Sequence, residues 1–348
     1  MRVLVTGGEG YIGTVLVPAL LAEGHSVTVL DAGFHRDGCL FTYEQGATSN
    51  ISMDLRKVDT ETLGGFEAVI HLGDLSNDPL SEFDKDLTLE INHRAAIRLA
   101  RLAKDAGVER FVYASSCSVY GASGSGSGDL STEETAVAPV TTYAKCKALV
   151  EDALRELSDS TFNTVSLRNA TAFGASARMR FDLVVNELTA QAFLDRQLVL
   201  TSDGTPWRPF VHVRDIAKAI CCCLTAPWEI VRSEVFNVGD SRTNHQIRDV
   251  CEIIGRIVPN CEVVLGEPGG DKRNYRVDFS KINTVLPGYS SDWTVELGVA
   301  EMYEIFQGIG LTSETLNHRL YRRLKQITHL LDLGLVDREL FWVEGNQN

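Results

Sequence analysis

Short apolar runs and helical stretches alternate along the first 115 residues of the chain. The apolar runs are continuous, as in parallel strands that are buried on both faces. The intervening stretches place apolar side chains at helical spacing. The apolar runs occupy residues 2–6, 26–31, 68–72 and 110–115, and the helical stretches occupy residues 11–23 and 86–106. This alternation predicts right-handed βαβ crossovers and an α/β fold with a Rossmann-type doubly wound parallel sheet.

The pattern becomes less regular after Gly174, which indicates a second, smaller unit. Residues 163–170 still fit a strand of the first sheet, and a helix at 213–224 and a strand at 235–239 are expected to return to it. The predicted division assigns residues 1–174 and about 211–240 to the cofactor domain, and residues 175–210 and 241–348 to a smaller α/β substrate lobe. We also expect a surface loop at the Gly/Ser-rich residues 121–129 and an amphipathic surface helix at 312–333.

A glycine-rich loop follows the first predicted strand and opens the first helix. Its sequence, TGGEGYIG, contains Gly7, Gly10 and Gly13 at the spacing GxxGxxG. Glycine permits a positive φ and lets a diphosphate approach the backbone, and the unpaired N–H groups of a helix start attract an anion. This position in the first βα unit predicts a dinucleotide site that includes Tyr11 and Ile12.

A carboxylate at the end of the second predicted strand indicates which dinucleotide binds. Asp31 can accept hydrogen bonds from ribose hydroxyls and repels a 2′-phosphate, which favours NAD. His35 and Arg36 lie close by in the sequence and leave NADP open. Further cofactor contacts are predicted near the next strand ends, at Asp54, Leu55 and Leu72. For the acid among them, an ordinary loop residue is the alternative interpretation.

Ser116, Tyr143 and Lys147 form the candidate catalytic set. Tyr143 and Lys147 have the spacing YxxxK within a predicted helix, and positions i and i+4 share one helix face. A phenol titrates at about 10, so a neighbouring ammonium is needed to make it a useful base near neutrality. Ser116 follows the strand at 110–115, at the carboxyl end where α/β sheets bind their ligands. An exposed helix face and a polar turn are the alternatives for the separate motifs.

The composition narrows the choice of partners and of compartment. The chain has 348 residues and a formal net charge of −14, which argues against a nucleic-acid or anionic-membrane partner. No apolar run approaches the roughly 18 residues of a membrane span. The eight cysteines lack the spacing of a zinc site, so we expect free thiols, no metal site and a cytoplasmic protein.

These motifs resemble the extended short-chain dehydrogenase/reductase superfamily, and within it the NAD-dependent nucleotide-sugar epimerase/dehydratase family. The resemblance runs to about Phe306 and includes TGGEGYIG, SSCSVYG, YAKCK, LRNATAFG and RPFVHVRDIAKAI. It implies that Ser116 is the catalytic hydroxyl, Tyr143 the acid/base and Lys147 its partner, with NAD as cofactor. It also implies a nucleotide-diphosphate sugar as substrate. A homodimer through a four-helix bundle is implied too, with residues 86–106 and 143–157 as the candidate helices.

The resemblance further implies that an asparagine and several arginines of the smaller lobe bind the nucleotide diphosphate. Arginine suits this role because its planar fork makes bidentate contacts to phosphate oxygens. The matching positions are Arg178, Arg180, Asn186 and Arg208. The family's Arg-x-Gly-Asp motif is absent near Asp271, since Pro268 stands where arginine is expected. We expect Arg273, with Arg276, to take over that phosphate contact.

Two positions after the catalytic hydroxyl separate the reactions of this family. The 4,6-dehydratase subgroup carries an Asp-Glu pair there, whereas this chain has Cys117 and Ser118, which we expect beside the substrate. Cys117 also lies one position before the cysteine of some C3/C5-epimerising relatives, although a thiol can still act as a weak acid/base. We therefore expect a C4-type epimerase with a transient 4-keto intermediate. The alternatives are a nucleotide-sugar 4-oxidoreductase, then a C3/C5-epimerase or 4,6-dehydratase, and an NAD-responsive binding protein.

Overall fold

The chain folds around a parallel sheet, and the computed structural model describes residues 1–43, 49–121, 130–267 and 274–343. Its strands are β1 (Arg2–Thr6), β2 (Ser26–Asp31), β3 (Ser49–Ser52), β4 (Ala68–His71), β5 (Arg110–Ser116), β6 (Leu130–Ser131), β7 (Asn163–Asn169), β8 (Thr171–Phe173), β9 (Gln197–Val199), β10 (Trp207–His212), β11 (Glu234–Val238), β12 (Asn244–Gln246), β13 (Glu262–Val264) and β14 (Arg276–Val277). Its helices are α1 (Gly13–Ala22), α2 (Asp78–Phe83), α3 (Lys85–Leu89), α4 (Ala96–Asp105), α5 (Thr142–Leu157), α6 (Val184–Asp195), α7 (Val213–Thr225), α8 (Trp228–Val231), α9 (Ile247–Ile257), α10 (Ser280–Val285), α11 (Val295–Ile309), α12 (Ser313–Asn317) and α13 (Arg323–Asp332).

The main sheet has the order β11-β7-β5-β4-β1-β2-β3 within the described ranges, and each neighbouring pair is parallel. The chain winds outward from β1 in both directions, so the strand order reverses between β1 and β4. In such sheets ligands bind at this reversal, outside the carboxyl ends of the strands. The predicted Rossmann-type doubly wound sheet is therefore confirmed.

Apolar layers cover both faces of the sheet. On one face Leu16 of α1 and Ile216 of α7 are buried against Val5 of β1. On the other face Leu99 of α4 and Leu154 of α5 are buried in a second cluster with the strands. Each such leucine contributes about 1.5–3 kcal/mol by leaving water. Burial on both faces explains why the strands appear in the sequence as unbroken apolar runs.

The chain returns to the sheet after it has built much of a second apolar core. β11 pairs with β7, from Glu234 opposite Val165 to Val238 opposite Asn169. α7 precedes it and packs with α1. The second core contains buried residues of β10, α6, α9 and α11, namely Phe210, Val185, Ile254 and Phe306. The predicted returning helix and strand are thus present, while the division at 174, 210 and 240 stays a prediction.

The C-terminal stretch differs from the helix predicted at 312–333. The backbone is extended at His318 (φ −64°, ψ 136°), which separates α12 from a short 3₁₀ turn and α13. The predicted continuous helix is therefore wrong. The apolar face of α13 carries Ile327 and Leu330, which are buried against Leu75 and Leu80. Residues 122–129 of the predicted surface loop lie outside the described residues.

Candidate active site

A cavity of about 710 Å³ opens at the carboxyl ends of the central strands. Thr6 of β1, Asp31 of β2 and Ser116 of β5 line it on the side of the main sheet. Arg208 lines it from the second core, and Arg323 lines it from the start of α13. The cavity therefore lies at the reversal of strand order, where open α/β sheets bind their ligands.

The glycine loop forms one wall of the cavity, and its first and last glycines have no room for a side chain. Gly7 has a φ of +72°, and a Cβ added there would lie 2.7 Å from the Cα of Gly73. A Cβ on Gly13 would lie 2.3 Å from the carbonyl oxygen of Gly8. The predicted loop contacts Gly7, Gly10, Tyr11, Ile12 and Gly13 all line the cavity. Because α1 begins here, its first N–H groups face a cradle that fits a diphosphate.

The predicted acid of the cofactor ribose, Asp31, lies at the cavity wall. Its Oδ2 accepts from the backbone N–H of Glu9 at 3.1 Å, and its Oδ1 accepts from that of Gly33 at 2.8 Å. Burial raises the pKa of Asp31, and these hydrogen bonds oppose the rise. Arg36 donates from Nε to Glu9 at 3.1 Å. This contact holds the guanidinium of Arg36 at the carboxylate of Glu9, within the glycine loop.

The remaining predicted cofactor residues, Asp54, Leu55 and Leu72, also line the cavity. Asp54 is paired with Arg56, whose Nη2 lies 2.7 Å from Oδ2. Its Oδ1 accepts from the backbone N–H of Arg56 as well. The alternative interpretation of Asp54 as a loop acid thus gains support. Leu55 and Leu72 supply the apolar surface on which an adenine or a ribose can pack.

Ser116, Tyr143 and Lys147 line the cavity together. Tyr143 and Lys147 lie one turn apart on α5, and Lys147 Nζ is 5.4 Å from the centre of the phenol ring. Thr141 begins this helix by accepting from the N–H of Ala144 at 3.2 Å. Ser116 ends β5 and its Oγ accepts from the N–H of Ser118 at 3.1 Å. The fold therefore brings the predicted hydroxyl, phenol and ammonium to one cavity.

Asp74 is a site residue that the sequence interpretation missed. Its Oδ2 lies 2.6 Å from Lys147 Nζ, and its Oδ1 lies 3.4 Å from Nε2 of His71. The Nδ1 of His71 is in turn 2.7 Å from the hydroxyl of Thr6. Burial opposes ionisation, but the Lys147 ammonium holds the pKa of Asp74 at about 2. An acid three residues after the end of a buried strand was the available signal.

The Asp74 carboxylate fixes the state of Lys147. Burial lowers the pKa of Lys147, but Asp74 outweighs burial and the pKa is raised. One ammonium N–H goes to Asp74 and another to the carbonyl of Ala114, so a third remains for a ligand. Burial raises the pKa of Tyr143, Lys147 lowers it, and the Asp74 carboxylate raises it. In the cavity without a ligand, burial and Asp74 together outweigh Lys147, so the pKa of the phenol lies above its usual value.

Two predicted substrate contacts, Cys117 and Asn186, lie outside the cavity lining. The Cys117 thiol donates to the carbonyl of Arg168 at 3.1 Å, and burial raises its pKa. Its side chain turns away because residues 117–120 form a 3₁₀ turn, which leaves Ser118 at the cavity. Asn186 is fully buried and donates from Nδ2 to the hydroxyl of Tyr11 and the carbonyl of Arg180. Asn186 therefore supports the cavity wall from outside the lining.

Two of the predicted arginines, Arg180 and Arg208, line the cavity. Arg180 donates from Nε to Asp182 at 2.9 Å and from Nη1 to the hydroxyl of Ser76 at 3.2 Å. Arg208 lies in the lining with Tyr275, where its guanidinium carbon is 5.8 Å from the phenol ring. Arg276 stacks on Trp207, Arg178 lies outside the lining, and Arg273 falls outside the described residues.

Comparison with known proteins gives this site a family. A model described as the NAD dependent epimerase/dehydratase family matches residues 3–239. The chain belongs to this family. The predicted family and the predicted NAD cofactor are confirmed, and the chain is an enzyme of the epimerase/dehydratase type. None of its described helices is long and apolar enough to cross a membrane.

Relatives within the family catalyse different reactions. The UDP-glucose 4-epimerase of Lactobacillus helveticus is 27% identical over 312 residues, which cover 82% of this chain and 91% of that protein. MoeE5, whose structure was solved in complex with UDP-glucuronic acid and NAD, is 26% identical in sequence to this chain, and its structure matches with a TM-score of 0.75. The match covers 88% of this chain and 99% of the MoeE5 chain. TunA, an NAD dependent-NDP-hexosamine 5,6-dehydratase involved in tunicamycin biosynthesis, is 25% identical, with a TM-score of 0.74 and coverages of 88% and 98%.

Proposed function

We propose that the protein is an NAD-dependent nucleotide-sugar 4-epimerase. One observation supports this choice within the family. The two positions after the catalytic hydroxyl supply no acid/base group, since Cys117 is turned into the core and Ser118 presents only a hydroxyl. Elimination of water and inversion next to a carbonyl both need a group that removes a proton from carbon. Oxidation and reduction at C4 need only the hydroxyl, phenol and ammonium.

The catalytic set performs the proton chemistry of this reaction. As the phenolate, Tyr143 removes the proton of the sugar hydroxyl and becomes the neutral phenol, and Ser116 shares a hydrogen bond with the same oxygen. The charge of Lys147 stabilises the phenolate, and its third N–H is available for a ribose hydroxyl. Bound NAD would supply the hydride acceptor and donor for the sugar carbon. Tyr143 then gives the proton back after the 4-keto sugar has turned its other face.

The substrate we propose is a UDP-hexose. The support comes from the relatives, which are named UDP-glucose 4-epimerases, and from MoeE5, which was solved with UDP-glucose as well as UDP-glucuronic acid. In this chain Arg208 and Tyr275 line one part of the cavity, and a guanidinium beside an aromatic ring suits a nucleoside diphosphate.

The test is product analysis in heavy water with UDP-glucose, UDP-galactose, UDP-glucuronic acid and UDP-N-acetylglucosamine. The proposal expects a C4 epimer of unchanged mass from at least one of these sugars. Tyr143→Phe should lower kcat by about 10²- to 10⁴-fold, because a positioned acid/base contributes that much. Incorporated deuterium, lost water or accumulating NADH would contradict the proposal.

A nucleotide-sugar dehydratase is the second candidate, because TunA matches the fold over almost its full length. That hypothesis needs a proton acceptor other than Cys117. Asp74 is the nearest carboxylate to the catalytic set, but it is held by Lys147. The same experiment separates the two reactions, since a dehydratase product is lighter by one water.

A further inference from the structure

The C-terminal arm, residues 319–343, forms part of the cavity wall. Its residues Arg322, Arg323, Leu324 and Lys325 line the cavity. Gln326 donates from Nε2 to the carbonyl of Phe34 at 2.9 Å, and Trp342 donates from Nε1 to that of Ala32 at 2.6 Å. Both carbonyls belong to the loop that follows Asp31. The arm is therefore fastened to the loop after Asp31, where the adenosine end of the cofactor is expected.

Two further loops of the cavity wall hold the arm. The guanidinium of Arg56, next to the adenine candidates, lies 3.7 Å from the ring centre of Phe341. The loop after β4 and helix α2 contribute Leu75 and Leu80, which are buried against α13. The arm thus spans the loops that follow β2, β3 and β4, and all three loops line the cavity.

The arm places Arg323 beside two other buried arginines, Arg178 and Arg180, and few carboxylates are present to neutralise the three charges. Arg178, Arg180 and Arg323 are only 9%, 6% and 4% exposed. Asp182 pairs with Arg180 and also accepts from Asn77 at 2.7 Å. In the part of the chain that the structure describes, Arg178 and Arg323 have no ion pair. Within that part, the Arg323 guanidinium donates only to the carbonyl of Arg178, at 3.4 Å, and Arg178 Nε has no hydrogen-bond partner. Burying an unpaired guanidinium is strongly unfavourable.

The local field of this group is positive. Burial and the neighbouring Arg180 lower the pKa of Arg323 to about 9. Burial and Arg323 also lower the pKa of His35. Arg180 and Arg323 both line the cavity, whereas Arg178 does not. An anion in the cavity would relieve this repulsion, and a phosphate group matches the planar fork of arginine.

The position of the two arginines indicates which phosphate they meet. The start of α13 is tied to the loop after Asp31 through Gln326. Asn186 links the carbonyl of Arg180 to the hydroxyl of Tyr11. The cofactor ribose is expected at Asp31 and the nicotinamide at Tyr143. The part of NAD that lies between these ends is its diphosphate, which the glycine loop around Tyr11 receives from the other side.

We propose that Arg180 and Arg323 bind the diphosphate of NAD opposite the glycine loop, and that the C-terminal arm thereby retains the cofactor. This assigns Arg180 to the cofactor, whereas the sequence indicated the substrate. It also gives the C-terminal arm a role in ligand binding. The inference depends on NAD and is independent of the sugar and of the carbon that reacts.

The test measures binding of NAD alone to full-length protein freed of nucleotide. Arg323→Gln should weaken NAD binding by about 10- to 100-fold, the range expected for one or two hydrogen bonds to a charged group. The NAD affinity of Arg323→Lys should lie between those of the natural protein and Arg323→Gln, because lysine keeps the charge but lacks the planar guanidinium. The matched control is Arg338→Gln, which removes the same charge from an exposed position of the arm and should leave NAD affinity unchanged.

Thermal unfolding separates this role from a structural one. Arg323→Gln removes an unpaired buried cation, so the nucleotide-free protein should unfold at an equal or higher temperature while NAD stabilises it less. A lower unfolding temperature with an unchanged increment from NAD would overturn the proposal. So would unchanged NAD affinity, or a loss confined to binding of UDP and UDP-glucose. That last result would assign Arg323 to the substrate diphosphate.

Discussion

Lys147 carries a charge that the fold partly neutralises. The YxxxK motif predicts an ammonium that makes Tyr143 a better base, but Asp74 lies 2.6 Å from that ammonium. The charged groups that face Tyr143 include Lys147, Asp74, Asp78 and Arg180. Asp74 raises the pKa of the phenol, so its removal should affect the pH dependence of the reaction.

We predict that Asp74→Asn moves the ascending limb of the kcat profile toward lower pH. The substitution removes a negative charge that raises the pKa of Tyr143 and keeps an oxygen that can accept from Lys147. The matched control is Asp152→Asn, on an exposed part of the same helix, which should leave the profile in place. A limb that moves to higher pH would mean that Asp74 mainly serves to keep Lys147 charged.

Cys117 provides a second prediction at this scale. Because its thiol is buried and bonded to a carbonyl away from the cavity, Cys117→Ala should keep kcat within a few-fold of the natural enzyme. We expect a loss of roughly 1 kcal/mol in the free energy of unfolding, from the small space that the sulfur leaves. A loss of activity of 10²-fold or more, with folding intact, would show that the thiol takes part in proton transfer.

Sequence reasoning identified those residues whose roles depend on local geometry. The spacing of Tyr143 and Lys147 fixes their common face, and Ser116 follows its strand directly. The pairing of Asp74 with Lys147 was not predictable, because these residues lie 73 positions apart and meet only when β4 packs beside β5. The same holds for Cys117, whose direction depends on a 3₁₀ turn.

At the scale of elements, the turn between β1 and α1 depends on close contact with the loop after β4. A Cβ on Gly7 would lie within 3 Å of the backbone of Leu72 and Gly73, at a φ of +72°. Gly24 has a similar φ of +82°, but nothing lies within 4 Å of its added Cβ. These two glycines therefore separate backbone strain from steric conflict.

We predict that Gly7→Ala abolishes NAD binding and lowers the free energy of unfolding more than Gly24→Ala. Gly24→Ala adds only the left-handed strain of about 1–2 kcal/mol and should bind NAD normally. Gly7→Ala must in addition push apart the loops after β1 and β4. Chemical denaturation and NAD titration of both variants give the comparison. Equal destabilisation would mean that the loops move without penalty.

The extent of the main sheet followed from apolar runs, because buried parallel strands allow few polar residues. The position of the C-terminal arm could not be predicted in this way. Its break at His318 has no proline or glycine to mark it, and its docking on the loops after β2 and β4 is a tertiary contact. An amphipathic pattern shows that one face is buried but does not show what covers it.

At the scale of the whole molecule, two helices that pack against each other, α2 and α5, expose large apolar side chains. Phe83 of α2, Val140 before α5 and Leu149 of α5 are 53%, 62% and 44% exposed. Apolar side chains that are exposed close together at a surface indicate a protein interface. The homodimer, in which α5 was expected to take part, remains a prediction that these side chains support.

We predict that the protein is a dimer in solution and that Leu149→Glu shifts it toward the monomer. A charge at the centre of an apolar interface is strongly unfavourable, whereas an exposed leucine elsewhere tolerates it. Leu333→Glu, at the end of α13, is the matched control because Leu333 is 60% exposed. Light scattering coupled to size exclusion reports the mass. A natural protein that is monomeric at micromolar concentration would contradict the prediction.

The most direct test of the account follows the hydride of the substrate. UDP-glucose labelled with deuterium at C4 is incubated with the enzyme, and the product is analysed by nuclear magnetic resonance. We predict UDP-galactose that keeps its deuterium at C4, with no NADH released, because the same hydride leaves and returns. Product that has lost the label, or that carries it at another carbon, would contradict epimerisation at C4.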